Sequence, residues 1–258
     1  MPAPDRLLAD TFLLGDVAAA YAARPPYPDA VVTRLVEVAG GGRVLDLGAG
    51  EGSLARPLAV AGLEVDAVER AAVMVEAGRT APGGDHPRLR WHTEPVEELS
   101  ARGPFGLAVA GDAMHWFDHA VLVPRLARVL TPGAPLVLVT RTARHPGLDA
   151  LRPVIARHSR SVDHDPTYDA GRALTAAGHW TEAGRHTTDP VPFRQSPAAH
   201  LEALRSTSSL ARGLMDATEN AAFDAAVLAV LEPLADDDGL LTLALDATLV
   251  TGHLRGDG

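Results

Sequence analysis

The sequence predicts an α/β fold in which a mostly parallel sheet is wound on both faces by helices. Short apolar runs recur between Val44 and Thr140 and alternate with helix-compatible segments; that rhythm belongs to parallel sheets, whose strands need crossover connections. The first run, Val44-Leu45-Asp46-Leu47, opens directly onto Gly48-Ala49-Gly50-Glu51-Gly52 and then onto a helix start. Glycine at such a turn tolerates positive φ and lets a ligand approach the backbone. The second run closes on an acid, Glu69, about twenty residues beyond the glycines, where nucleoside-binding βαβ units place a carboxylate against ribose.

The totals narrow the function classes. A formal charge of −10 argues against nucleic acid as a general partner, because phosphate neutralisation needs a positive surface. No apolar run approaches the ~18–20 residues that span a bilayer, and Met1-Pro2-Ala3-Pro4-Asp5 lacks the basic start and apolar core of a secretory signal. With no cysteine there is no disulfide, thiolate metal site or cysteine nucleophile. These features predict a cytoplasmic protein, monomeric or homodimeric, with no membrane or nucleic-acid partner.

Taken in order, residues 1–14 end in the apolar cluster Phe12-Leu13-Leu14, and the Ala-rich stretch after Gly15 favours helix. Pro25, Pro26 and Pro28 stop it, and Asp29 is the expected N-cap of a helix over Ala30–Ala39, closed by Gly40-Gly41-Gly42. After the glycine turn, a helix over Leu54–Ala61 ends at Gly62, and Leu63–Glu69 is the second strand. Ala71–Arg79 returns as helix, Leu89–His92 is a brief third strand, and Phe105–Ala110 a fourth, apolar throughout as a strand buried on both faces should be. Gly111-Asp112-Ala113-Met114-His115-Trp116-Phe117-Asp118 then falls at its carboxyl end, the edge at which open parallel sheets bind ligands. Val121–Leu130 is a helix, Thr131-Pro132-Gly133 a turn, and Pro135–Thr140 a fifth strand. Beyond Thr140 the rhythm weakens. Helices are expected over Leu148–Ser159, Pro197–Ser206 and Glu219–Leu234, with β structure toward Phe193 and over Leu240–Leu254, giving two further strands with helices inserted between them.

These residues together resemble the class I S-adenosylmethionine-dependent methyltransferases. Val44–Gly52 resembles the family's first motif, Glu69 its ribose-binding acid, and Arg128-Val129-Leu130-Thr131-Pro132-Gly133-Ala134 its turn before the fifth strand. Tyr21 through Arg24-Pro25-Pro26-Tyr27-Pro28 and His115-Trp116-Phe117-Asp118 are similar to a small-molecule subgroup that includes relatives of trans-aconitate methyltransferase. The chain departs from the pattern at Thr131, Ala134 and Pro95; the last leaves adenine selection to Val96, Glu97 or Glu94.

The resemblance implies a Rossmann-like, doubly wound, mostly parallel seven-stranded sheet with the last strand antiparallel and inserted lid helices. It also implies one domain: residues 1–40 cap it, 41–140 bind cofactor, and 141–258 supply acceptor-side elements and terminal strands. The cofactor implied is S-adenosyl-L-methionine, released as S-adenosyl-L-homocysteine, and the partner a small-molecule methyl acceptor. Backbone N–H groups around Gly48 to Gly52 would face the methionine and ribose moieties, Asp46, Gly48, Ala49 and Gly50 would count among the cofactor-binding residues, and Glu69 would take the ribose hydroxyls. Arg70 and Met74 would flank the adenine, with Val96 and Glu97 at its edge. Tyr21 and Arg24 are the candidates for the cofactor carboxylate, since an arginine fork matches that group. Asp112 or the Gly111 carbonyl would take the ammonium, and Tyr21 or Trp116 would face the sulfonium. His115 is the candidate general base, because imidazole titrates near neutrality. A histidine that orients the loop or contacts substrate is the competing reading. Arg141, Arg144 and His145 stand as candidates for a carboxylate on the acceptor, and the helices around 195–235 as a cover for its pocket. His158, His164 and Asp165 have no compact metal-site spacing.

Two rival functions share parts of this pattern. A nicotinamide oxidoreductase would want Gly-x-Gly-x-x-Gly, but position 53 is Ser53. A methyltransferase-like protein that binds cofactor without transferring methyl would keep the whole donor motif.

Overall fold

The computed structural model describes residues 6–161 and 168–255. The elements in order are α1 (Arg6–Asp10), α2 (Gly15–Tyr21), α3 (Asp29–Ala39), β1 (Val44–Leu47), α4 (Ala55–Val60), β2 (Val65–Val68), α5 (Ala72–Thr80), β3 (Leu89–His92), β4 (Leu107–Gly111), α6 (His119–Val129) and β5 (Leu136–Arg144). They continue with α7 (Leu148–His158), α8 (Ala170–Ala176), β6 (Trp180–Thr187), β7 (Val191–Gln195), α9 (Pro197–Arg205), α10 (Ala217–Leu231) and β8 (Leu241–Leu254).

One sheet contains every strand in the order β3-β2-β1-β4-β5-β8-β6, with β7 also paired to β8. β1 to β5 run parallel, and β8 is antiparallel to β5, β6 and β7. The expected arrangement of mostly parallel strands with an antiparallel last strand is therefore present, with its sixth position split in two. Thr188 is the joint. Its backbone N–H donates to the Ala247 carbonyl and its hydroxyl accepts from the Ala247 N–H, while Pro190, two residues on, has no N–H to give.

Alternation along the strands sorts the core into two layers. Val44, Leu107, Val109, Val137 and Val139 pack on one face with Val31 and Leu35 of α3 and Leu58 of α4. Leu45, Leu47, Ala108, Leu136 and Leu138 pack on the other with Leu122 and Leu126 of α6 and Leu174 of α8. A third cluster joins Leu151, Leu201, Phe223, Val227 and Leu231 of α7, α9 and α10 to the start of β8.

Several boundaries differ from the sequence expectations for local reasons. Asp29 is the first residue of α3 and not its cap; Pro28, extended at φ −54° and ψ 143°, sets the entry. α6 starts at His119 because Asp118 accepts from the N–H groups of Ala120 and Val121. α10 starts at Ala217 through a reciprocal capping box of Asp216 and Glu219, and Pro233 tightens its last turn into a 3₁₀ helix. β5 runs to Arg144, past the apolar stretch, because β8 pairs with it from Leu136↔Gly252 to Arg144↔Ala244.

The turn of this sheet around Trp180 allows one test. The indole is fully buried and crosses β8 so closely that a Cβ at Gly252 would lie 2.1 Å from it. Gly252→Ala is expected to cost at least the ~1–3 kcal/mol of an overpacked core, read as a lowered melting temperature. An unchanged melting temperature would contradict this packing.

Candidate active site

The carboxyl ends of β1, β2 and β4 meet where the strand order reverses between β1 and β4, the crevice in which doubly wound sheets bind ligands. β1 delivers Gly48 and Gly50, β2 delivers Glu69, and β4 delivers Gly111 and Asp112. Gly48, Gly50 and Gly52 all have positive φ, at 65°, 58° and 81°. Gly48 has no room for a side chain: a Cβ there would sit 2.8 Å from the Phe117 ring and 2.9 Å from the Ala113 methyl.

Glu69 is the electrostatic centre of the turn. One carboxylate oxygen accepts from the Gly50 N–H at 2.9 Å and the other from the Ala71 N–H at 2.8 Å. Burial raises its pKa, and those two N–H groups act against the rise. Each oxygen keeps a lone pair for a ligand hydroxyl.

Asp112 is held from behind. The Tyr27 hydroxyl donates to Oδ2 at 2.9 Å and the Arg141 N–H to Oδ1 at 3.3 Å. It is the one non-glycine with positive φ among the described residues, at 50°, a strain of ~1–3 kcal/mol of the kind found at ligand sites. Arg141 also donates to the Pro25 carbonyl and lies over the Tyr27 ring, 4.6 Å from its centroid. Burial, and then the Asp112 charge, push the Tyr27 hydroxyl well above its ordinary pKa, so it stays a proton donor.

Tyr21, Arg24, Gly48, Gly50, Glu69, Arg70, Met74, Val96, Glu97, Gly111, Asp112 and His115 all line one cavity of about 1470 Å³. Asp46 and Ala49 do not. They lie behind the glycine turn beside a void of about 20 Å³ shared with Tyr27 and Arg141, because the pleat turns the Asp46 side chain into the layer that holds α4. There Asp46 accepts from the Ala55 N–H, and burial raises its pKa to about 7; its Oδ2 has no hydrogen-bond partner within the protein.

The His115 ring reaches the cavity and packs 4.6 Å from Trp116 and 6.2 Å from Tyr168, centroid to centroid. Crowding by these walls lowers its pKa, with Asp112 pulling the other way. Neutral imidazole therefore persists to lower pH than in a free histidine. Of the other cationic candidates, Arg144 pairs with Asp246 and His145 is buried against His200, 4.7 Å between rings; neither lines the cavity. His158 packs on Phe223, His164 and Asp165 lie outside the described residues, and no metal-ligand cluster occurs among the described ones.

The sequence reading missed part of the wall. Thr207 and Ser208, just past α9, and Ala173, Ala176 and His179 around α8 also line the cavity. Their spacing along the chain carries no motif, so only the topology brings them to this edge.

The cavity fits a sulfonium nucleoside. The Gly50 backbone is open, with Tyr21 3.6 Å from where a Cβ would stand. Acids outnumber cations in the wall, with Asp10, Glu69, Glu97, Glu98, Asp112 and Asp118 facing Arg24 and Arg70, a balance suited to a cationic ligand. Arg70 is itself paired to Asp10 at 2.5 Å.

Known proteins agree with this geometry. A methyltransferase-domain model matches residues 44–133. An uncharacterised methyltransferase of Mycobacterium tuberculosis is 33% identical over 188 residues, covering 72% of each chain. A trans-aconitate 2-methyltransferase of Methylobacterium nodulans is 30% identical over 62% of this chain and 66% of its own. Among solved structures, a proposed type II methyltransferase of Anaeromyxobacter dehalogenans superposes with a TM-score of 0.67 at 26% identity, covering 89% of this chain and 97% of that one. The fold is also that of a methyltransferase from Geobacter sulfurreducens solved with S-adenosyl-L-homocysteine, with a TM-score of 0.54 and 16% identity over 99% of this chain and 100% of that one. With the strand order, the glycine turn and the acid of β2 all in place, the chain belongs to the class I S-adenosylmethionine-dependent methyltransferases.

Proposed function

We propose that the protein methylates a small molecule bound in the same cavity as the cofactor, and that this acceptor gives up a proton in the reaction. The cavity volume carries this reading. A single drug-sized ligand needs about 300–1,000 Å³, so a continuous space of about 1470 Å³ has room for a second small molecule beside the cofactor.

The bound cofactor supplies a methyl group on sulfur, activated for in-line displacement. Glu69 would accept both ribose hydroxyls, and Arg24 with Tyr21 would bind the carboxylate of the amino-acid end. Asp112 or the Gly111 carbonyl would take its ammonium. Asp46 and Ala49 act from behind, by fixing the turn. Met74, Val96 and Arg70 would border the adenine, with Glu97 at its edge. Holding the acceptor in line with the methyl carbon would supply much of the rate, within an upper bound of ~7–11 kcal/mol for such positioning.

The two arginines of the wall are both engaged, Arg24 with Ser206 and Arg70 with Asp10. That leaves little to bind an acceptor rich in carboxylates and favours a hydroxyl or amine acceptor. Such a group must lose a proton, and neutral His115, which lines the cavity, would take it.

His115→Gln is expected to lower kcat by about 10²-fold, within the range of general-base effects, with little change in cofactor affinity. In the wild type, the rate should fall on the acid side below the lowered pKa of His115, as the imidazole protonates; the variant should lack that limb. A wild-type rate in H115Q would retire the base. The acceptor itself is identified by incubating enzyme and cofactor with a metabolite extract and reading methylated products by mass spectrometry. S-adenosyl-L-homocysteine formation with no methylated small molecule would contradict the proposal.

A further inference from the structure

The cavity is lined by pieces far apart in the sequence. On one side lie Tyr21 and Arg24, at and after the end of α2; on the other lie Thr207 and Ser208, after α9. The two sides are joined at Ser206. Arg24 donates from Nε to the Ser206 hydroxyl at 2.7 Å and from Nη2 to the Ser206 carbonyl at 2.9 Å. Its Nη1 donates to the Tyr21 hydroxyl at 3.0 Å, and the guanidinium stands 4.1 Å from the centroid of the Tyr21 ring. Of the five N–H bonds of an arginine fork, these three fix its plane, and Nη1 and Nη2 each keep one to offer a ligand.

Ser206 is well suited to anchor that fork. It is fully buried and is absent from the cavity wall that its neighbours Thr207 and Ser208 line. Its hydroxyl donates to the Ala203 carbonyl at 2.6 Å, which leaves the oxygen lone pairs turned toward Arg24. Its N–H donates to the Glu202 carbonyl at 3.0 Å. The preceding residue, Arg205, is pinned to Asp224 of α10 at 2.6 Å. Ser206 therefore sits on rigid backbone, and the rigidity comes from the segment between β7 and β8, not from the glycine turn.

We infer that Ser206 is a positioning residue for cofactor binding: it orients the Arg24 fork, and through it Tyr21, over the Gly50 turn. The inference rests on the reading above that Arg24 and Tyr21 meet the amino-acid end of the cofactor. It adds that the turn after α9, far from the glycine motif in sequence, takes part in holding the donor. Affinity for the cofactor then depends on a residue that never touches it.

The test is calorimetry with S-adenosyl-L-homocysteine on the wild type, S206A, S206T, R24A and the R24A/S206A double variant, with melting temperatures alongside. Losing one hydrogen bond to a charged donor should weaken binding by about tenfold in S206A. S206T, which keeps the hydroxyl, should stay within about twofold of wild type, and S206A should add nothing in the R24A background. Affinity in S206A within about twofold of wild type, or a full tenfold loss on top of R24A, would overturn the inference. Should S206A fail to fold, hydrogen exchange on the wild type and R24A decides. Saturating S-adenosyl-L-homocysteine should slow exchange at the Ser206 amide, R24A should abolish the slowing, and unchanged exchange in the wild type would overturn the inference. A wild type that does not bind S-adenosyl-L-homocysteine at all would instead sink the reading beneath it.

Discussion

Glu69→Ala is expected to weaken S-adenosyl-L-homocysteine binding by about 10²–10³-fold while the protein stays folded. Two ribose hydroxyls donating to a carboxylate are each worth roughly 1.5–3 kcal/mol, and a loss of ~3–4 kcal/mol in total corresponds to that range. The native protein holds this carboxylate against a burial penalty, visible in its raised pKa. Removing it therefore relieves a cost as well as breaking the bonds to Gly50 and Ala71, which is why folding should survive. Calorimetry reads the affinity and circular dichroism the fold. An affinity within about threefold of wild type would take Glu69 out of the site. Glu69→Gln should fall in between, since a neutral amide keeps one acceptor oxygen and turns a donor toward the other hydroxyl.

The largest expected loss of stability lies elsewhere, at Arg205. Its side chain is fully buried and donates to Asp224 from Nε and Nη2, to the Leu210 carbonyl at 3.2 Å and to the Asn220 carbonyl at 3.0 Å. It also lies over the Phe223 ring at 4.4 Å. Arg205→Met would take from Asp224 its close partner, with Arg212 no nearer than 4.0 Å, and from the Leu210 carbonyl its arginine donor, in one step. Breaking one partner of a buried pair costs about 3–5 kcal/mol, and Asp224 keeps 30% of its side-chain surface exposed, so the lower end applies. For a chain of this size each kcal/mol moves the melting temperature by ~2–4 °C. A drop of about 6–12 °C is expected by calorimetric scan. Adding Asp224→Leu should recover part of it, because the uncompensated charge is then gone. A melting temperature equal to that of wild type in R205M would show that the pair carries no net stability.

The first half of the chain was legible because its physics is local. A buried parallel strand must be apolar along its length, a tight turn needs glycine, and an acid at the end of β2 has few reasons to be there apart from a ligand. Those constraints act on neighbours in sequence, so Val44–Leu47, Gly48–Gly52 and Glu69 carry them openly. Asp46 shows the limit of that logic: it sits in the motif, yet strand alternation turns it away from the cavity. The other misses have the same origin in long-range geometry. Nothing near Ser206 announces a partner at Arg24, because the contact joins segments from the two ends of the fold. Tyr27 entered only as part of the Tyr21–Pro28 stretch with no role of its own, and only the folded chain shows its hydroxyl on Asp112. The second half reads poorly for a related reason. β6 is exposed along nearly its whole length, so it lacks the apolar signature of an interior strand, and its partner arrives only at the chain's end.

The pairing of β5 with β8 has a consequence for how the molecule is made. During synthesis, β1 to β5 emerge as a contiguous block and can dock side by side through short crossovers. The outer edge of β5, however, has no partner until Leu241–Leu254 leaves the ribosome. Over that interval alternate positions along Leu136–Arg144 present an open row of backbone donors and acceptors. Such an edge invites pairing with another nascent chain. Its outer stretch, Arg141-Thr142-Ala143-Arg144, carries two arginines, and charge of this kind keeps an unpaired edge from joining a like edge. The arginines that looked from the sequence like acceptor ligands lie outside the cavity, and their charge is of the kind that guards an unfinished sheet.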